Sequence, residues 1–279
     1  MLEGRSPGLE KRLANFARVL LVIVEKLSGG VEAVLNIDNI SALKGATIVT
    51  GFRGFGMVGY LVSKYVALGT GSEKIGFIIA KPMPPMLLVE EDSIGFPFDI
   101  YYSKEYNILT IVNRALPEKE NADQYTRAIA EFAARVDSRL MVLAGGLNKN
   151  FMEESDAYKY RYLKNSFAGN TVQLDAPQME KGLGVMGPLA LLFIYSEYYR
   201  VPSVVILPYS AVEDVDYDAA IRGIRIIAEK ILQRPVDTSL IEKEAKEWLE
   251  EKEKLSALIG AMVSQEGGEQ EDRHKGMYM

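Results

Sequence analysis

Apolar positions along this chain change period several times. Short runs that are apolar throughout alternate with longer stretches in which apolar residues recur every three or four positions, which predicts strands alternating with amphipathic helices. Ala46–Phe52 (ATIVTGF) is an apolar, β-branched run, and Arg53–Gly59 (RGFGMVG) is a glycine-rich turn. Tyr60–Ala67 continues as a helix, with Met57, Leu61, Lys64, Tyr65 and Leu68 at spacings of three and four. Lys74–Ala80, Phe98–Ser103, Asn107–Asn113, Leu140–Ala144 and Ser203–Leu207 read as further strands. Asn121–Val136 carries Ala122, Tyr125, Ile129, Phe132 and Val136 on one helical face. Leu189–Arg200 and a helix from Asp216 or Asp218 to about Leu232 complete the pattern. Such an order predicts an α/β three-layer sandwich, a mainly parallel sheet flanked by helices.

The remaining segments set the domain limits. Residues 1–28 read as a flexible or weakly helical leader whose apolar run, Val19–Val24, is too short to span a bilayer. Val31–Asp38 reads as an edge strand, and Pro82-Met83-Pro84-Pro85-Met86 as an ordered loop. In the less regular stretch Leu147–Val185, the pattern suggests helix over Phe151–Lys164 and a short strand at Thr171–Leu174. Pro188 follows a second glycine-rich turn at a position suited to the first turn of a helix. The core domain is placed at 29–236. A C-terminal helix is placed at 237–263, opened by the capping box Ser239/Glu242. Its seam is Ile241, Ala245, Trp248, Leu255, Ile259 and Met262, interrupted by Lys252, with Glu242–Lys246 and Glu250–Lys254 as supporting pairs. Residues 264–279 are polar enough to be read as an unfolded tail, yet they end in Met277-Tyr278-Met279.

Composition narrows the chemistry. The 279 residues include no cysteine and a single histidine, His274, so disulfides, thiolate chemistry, a multi-His metal site and a Ser-His-Asp triad within one chain are excluded. A net charge of −6 gives no global electrostatic case for nucleic acid. Gly54-Phe55-Gly56-Met57-Val58-Gly59 spells the dinucleotide fingerprint G-x-G-x-x-G between a strand and a helix. A dinucleotide site also needs an acid at the end of the second strand, and here that strand ends Ala80-Lys81-Pro82. Phe52 and Phe55 further crowd the turn. Gly51, Gly54, Gly56 and Gly59 are therefore read as structural glycines, and no cofactor is expected. A nucleoside- or nucleotide-binding enzyme, drawing on this turn with Arg53 and Arg114 for phosphate, is the competing reading. Glu90, Glu91 and Asp92 offer carboxylates but no spacing that selects a catalytic pair, and read as a solvated acidic loop.

Several segments, in this order and spacing, resemble the proteasome assembly chaperone family in its archaeal branch. They are Gly51-Phe-Arg-Gly-Phe-Gly-Met-Val-Gly59, Ser93-Ile-Gly-Phe-Pro97, the corner Gly145-Gly146-Leu147, Gly187-Pro188 and Asp216-Tyr-Asp-Ala-Ala220, covering roughly Val31–Leu232. The family pattern usually has proline where Arg53 stands. The resemblance implies a phosphorylase-like α/β fold without catalytic residues, a cytoplasmic homo-oligomer with a tetramer favoured, and no nucleic acid or membrane partner. It also implies an ATP-independent activator. Met277, Tyr278 and Met279 match the hydrophobic-Tyr-X ending by which proteasome activators dock on the α-ring of the 20S core particle.

Overall fold

The structure, a computed structural model, describes residues 22–90 and 94–275, with side chains through Leu258. Two units are distinguished, residues 1–238 and 239–279.

The first unit is organised on one ten-stranded sheet. Its strands are β1 (Ile23–Lys26), β2 (Glu32–Leu35), β3 (Thr47–Gly51), β4 (Glu73–Ile79), β7 (Phe98–Ser103), β8 (Ile108–Asn113), β9 (Leu140–Ala144), β10 (Leu147–Asn148), β11 (Tyr160–Lys164) and β12 (Ser203–Ser210). Two further strands, β5 (Leu88–Val89) and β6 (Ile94–Gly95), form a separate antiparallel pair. The spatial order is β1-β2-β4-β7-β8-β3-β9-β12-β10, with β11 also paired to β12. Ladders β8–β3, β3–β9, β9–β12 and β12–β10 are parallel. The β1–β2–β4–β7–β8 half and β11 are joined by antiparallel ladders.

Every residue of β3, β8, β9 and β12 is buried, as expected of parallel strands covered on both faces. One face packs α2 (Ala122–Arg135) and α3 (Pro188–Tyr198), which touch each other. The other packs α1 (Val58–Gly69) and α4 (Tyr217–Ile226), which also touch each other and lie on β3, β8 and β12. The alternation along β3 shows the two layers: Ile48 joins the cluster that contains Tyr125, Ile129 and Leu192, whereas the equally buried Val49 does not. The fold is thus an α/β sandwich with a mixed sheet whose core is mostly parallel. Asp216, rather than Asp218, caps α4, its carboxylate accepting from Ala219 N at 2.9 Å. Beyond Ile226 the coil widens into a π turn, Ile227–Leu232.

Four local expectations are corrected. The edge strand is β1, which lies inside the segment read as a leader, because Val22–Lys26 alternates on a half-covered edge. Val31–Asp38 holds β2, an inner strand paired on both sides. Tyr160–Lys164 is strand, not helix; its aromatic and long side chains suit a pleated edge, and the long-range ladder to β12 overrides local propensity. Thr171–Leu174 forms no strand.

The second unit is one helix, α5 (Ser239–Lys275). It passes the expected end at Val263 and takes in residues 264–275, which were read as unfolded. Glu, Gln, Lys and Arg are good helix formers even with nothing apolar to bury, although Gly267 and Gly268 weaken the stretch. Lys243–Glu247 and Lys246–Glu250 pair along it at 3.8 and 4.0 Å. Leu249, Leu255 and Leu258 are exposed, and Trp248, the only tryptophan, is half-buried. Residues 1–21, Glu91-Asp92-Ser93 and Gly276-Met277-Tyr278-Met279 lie outside the described residues.

Candidate functional site

The carboxyl ends of β8, β3, β9 and β12 bring together most segments singled out in the sequence, and this is where open α/β sheets commonly bind ligands. Here the glycines let the backbones of that end meet in close contact. A Cβ on Gly51 would stand 2.5 Å from the carbonyl oxygens of Ala144 and Gly59, and one on Gly59 would stand 2.5 Å from the Ala144 oxygen and 2.7 Å from Phe52 N. The end of β3, the first turn of α1 and the end of β9 touch backbone to backbone. Gly146, after β9, faces the Phe55 carbonyl oxygen in the same way, at 2.4 Å from a would-be Cβ. Gly56 has φ +61° and is held by its carbonyl, which accepts from Asp216 N at 3.0 Å. The Asp216 carboxylate accepts from Ala211 N at 2.8 Å and so braces the β12–α4 turn, while its backbone amide ties that turn to the β3–α1 turn. Gly54 differs: a Cβ there meets nothing within 4 Å. Met57 is not part of α1 but precedes it in a left-handed conformation, φ 53°.

The arrangement bears on the dinucleotide fingerprint through topology as well as sterics. In a dinucleotide fold the strand after the first helix pairs with the first strand. In this chain β4 lies three places from β3, beyond β7 and β8. No residue ending β4 is placed to serve a ribose held at Gly54–Gly59.

Two polar networks underlie this end, and both escaped the sequence reading. In the first, Asn113 at the end of β8 donates to Thr50 Oγ1 (3.0 Å) and to the Gly51 carbonyl (2.9 Å), and it accepts from Tyr125 OH at 2.5 Å. Thr50 Oγ1 donates to the Ile111 carbonyl at 2.9 Å. All three side chains are fully buried, and burial pushes the Tyr125 phenol well up. In the second, Arg114 is almost wholly buried. It reaches Asp99 (2.6 Å), Glu90 (2.5 Å) and Tyr101 OH (3.0 Å), while Lys74 Nζ stands 2.8 Å from Asp99. Burial raises the Asp99 carboxyl despite Lys74 and Arg114, which pull it down. Loss of water also lowers Arg114, but its hydrogen bonds to Glu90 and Tyr101 outweigh that and leave it above the ordinary guanidinium value. The available signal was one acid inside the apolar strand Phe98–Ser103 and one asparagine closing Asn107–Asn113.

This geometry assigns the candidate residues. Arg114 is occupied by carboxylates and cannot also grip a phosphate without unmaking a buried cluster. Arg53 lies over the Tyr60 ring, 5.1 Å from its centroid. Glu90 is Arg114's partner rather than part of a solvated loop, and Gly95 of the Ser93–Pro97 block lets the chain pass within contact of the Arg114 side chain. Among the described residues no group of three or more His, Cys, Asp or Glu is placed to hold a metal, and no helix is long and apolar enough to cross a membrane. Outward, the turns at this end present Phe55, Leu116, Phe151 and Val212, all exposed. Met277, Tyr278 and Met279 fall outside the described residues.

The PAC2 family model matches residues 48–256, from β3 through the first part of α5. The chain belongs to the PAC2 family. The matched range takes in the glycine seam, both polar networks and the Asp216 cap. No curated protein matches the chain. Among solved structures, PbaA of Pyrococcus furiosus, an archaeal homologue of proteasome-assembly chaperone, is 16% identical with a TM-score of 0.66, over 85% of this chain and 96% of that one. PbaB of the same organism, an archaeal proteasome activator, is 16% identical with a TM-score of 0.63, over 83% of this chain and 100% of that one. A Thermoplasma acidophilum protein with unknown function is 14% identical with a TM-score of 0.61, over 95% and 99%. At these identities the likeness is one of fold.

Proposed function

We propose that this PAC2 protein is a proteasome assembly chaperone homologue that acts as an ATP-independent activator. It docks on the α-ring of the 20S core particle through Met277-Tyr278-Met279 and favours the open gate. The protein works in the cytoplasm as a homo-oligomer, a tetramer by the resemblance stated above, without chemistry of its own. The observation that carries this reading is the apolar-Tyr-apolar ending on a chain whose fold matches PbaB over that protein's whole length. The body is consistent with it: at the strand ends where an α/β enzyme commonly holds its substrate, backbones meet in close contact at Gly51, Gly59 and Gly146.

The physics of such an end is simple. The terminal carboxylate offers charge for a lysine in a partner's pocket, Tyr278 a ring to bury and a hydroxyl to satisfy, and Met277 adaptable apolar contact. One tripeptide binds weakly; several presented by one oligomer raise the effective concentration and shift a closed gate toward open. Deleting Met277–Met279 is expected to abolish stimulation of peptide hydrolysis by purified core particle while leaving the oligomer's mass unchanged. Tyr278→Ala is expected to come close to the deletion, and one added C-terminal residue to impair docking by displacing the carboxylate. Full stimulation by the deletion variant would move the function to the body.

A further inference from the structure

Among the described residues of the first unit, one face of the antiparallel half-sheet lacks a layer. Its opposite face is covered: Glu25 of β1 pairs with Arg135 of α2 at 3.0 Å, and Ala33, Leu35, Ile75 and Ile78 belong to the core cluster. On the uncovered face the register lines up Val24, Val34 and Phe77 across β1, β2 and β4, and Phe96 extends the stripe by packing on Phe77 at 4.9 Å between centroids. Val22 and Val24 are about half exposed, at 53% and 47%. Of the helices on this side, α1 and α4 lie over the parallel core and the β7 boundary. A sheet face of this kind is stable when another element buries it.

We propose that the occupant is the segment of this same chain that feeds β1, residues 7–21. Three observations point to it. The segment leads through Val22 into β1, the outermost strand of the uncovered face, so a short connection suffices to reach the stripe. Its sequence carries Leu9, Leu13, Phe16 and Leu20 at spacings of four, three and four, with Lys11, Arg12, Asn15 and Arg18 off that line, which is the pattern of a helix with one apolar face. Ser6-Pro7 ahead of it is a helix-start signal, a capping residue followed by proline at the first helical position. Twelve helical residues span about 18 Å, matched to strands of four to seven residues at about 3.3 Å each. The partner is thus an amphipathic segment in cis, and the face is an intramolecular docking surface independent of the proteasome reading.

The absence of cysteine makes the test clean. In the full chain, Leu13→Cys combined with Val34→Cys is oxidised with copper phenanthroline, beside a control pair, Leu13→Cys with the exposed Ile194→Cys on α3. An intramolecular disulfide in the first pair, at least ten-fold more abundant than in the control and carried by species of single-chain mass, is the expected result. A disulfide that joins two chains would overturn the proposal and give the face to a second copy. Yields equal to the control would overturn it outright. A second readout is independent of the cysteines: Leu13→Asp with Phe16→Asp is expected to raise binding of an apolar dye such as anilinonaphthalene sulfonate several-fold with the far-ultraviolet spectrum of the body retained. Unchanged dye binding would also count against it.

Discussion

The two halves of the sheet solve the same packing problem with different materials. Around β3, β9 and β12 the backbone itself is the contact surface, and glycine supplies the room. Around β4, β7 and the β5–β6 pair, long charged side chains do the joining: Lys74 and Arg114 converge on Asp99, and Glu90 ties the connecting segment to Arg114. Backbone-to-backbone contact is unforgiving, since no rotamer can be changed to relieve it. A cluster of ions is adjustable, but it depends on every member being present. The seam at Gly51, Gly59 and Gly146 therefore leaves little room for substitution, and the antiparallel half is the place where charge and pH are felt.

That contrast can be broken most severely at the seam. Gly59→Val puts a branched side chain against the Ala144 and Phe52 backbones, and a loss of more than about 4 kcal/mol is expected, read as failure to fold or a collapsed denaturant midpoint. Gly54→Ala, five residues earlier in a position with open space, is the internal control and is expected to change stability by less than about 1 kcal/mol. Next in size, Arg114→Met takes the guanidinium away from Glu90 and Tyr101 and leaves Asp99 with Lys74 and the Phe96 amide. A loss of about 3 kcal/mol by urea denaturation is expected, smaller than at Gly59 because Lys74 stays. Asp216→Ala removes the α4 cap and the lock on Ala211 together, for about 1–2 kcal/mol.

The smallest effect is one of pH. Glu131 on α2 accepts from Ser28 N at 2.9 Å, from the Ser28 hydroxyl, and from Arg135 at 2.5 Å. Burial works to raise its carboxyl, but these donors prevail and hold it below the ordinary 4.5. A carboxyl depressed in the folded state adds stability that is full above the unfolded value and is lost as pH falls through the folded one. The stability gap between the parent and Glu131→Gln is therefore expected to be open at neutral pH and to close below about pH 4.5. A gap of constant size from pH 7 to pH 3 would show that the ion pairs contribute nothing specific.

The legibility of the sequence follows the same division. The parallel core was readable because strands buried on both faces are apolar throughout, and because glycines at Gly51, Gly56 and Gly59 announce a turn. A Cβ at Gly51, Gly56 or Gly59 would stand within 2.8 Å of a neighbouring atom, whereas one at Gly54 meets nothing within 4 Å. Residues that act through distant partners were not readable. Asn113 meets Thr50 across 63 positions and Arg114 meets Asp99 across 15, and neither pair has any local periodicity to reveal it. The β1 edge was missed because a four-residue strand next to Gly29-Gly30 looks like the end of a leader, and β11 because the Lys- and Glu-rich stretch before it masks the strand tendency of Tyr160 and Tyr162 until they are laddered to β12. Strand order was the largest gap: the interposition of β7 and β8 between β3 and β4 is a fact of topology that the local pattern does not contain.

The placement of aromatic residues divides the molecule optically. Its single tryptophan, Trp248, sits in α5, and of its 15 tyrosines all but Tyr278 fall within residues 1–238. Excitation at the red edge of the absorption band reports on the C-terminal helix alone, while tyrosine absorbance and near-ultraviolet dichroism are dominated by the α/β body. A docking event at the C-terminus and a loosening of the body thus have separate spectral channels in the native protein, with no label added.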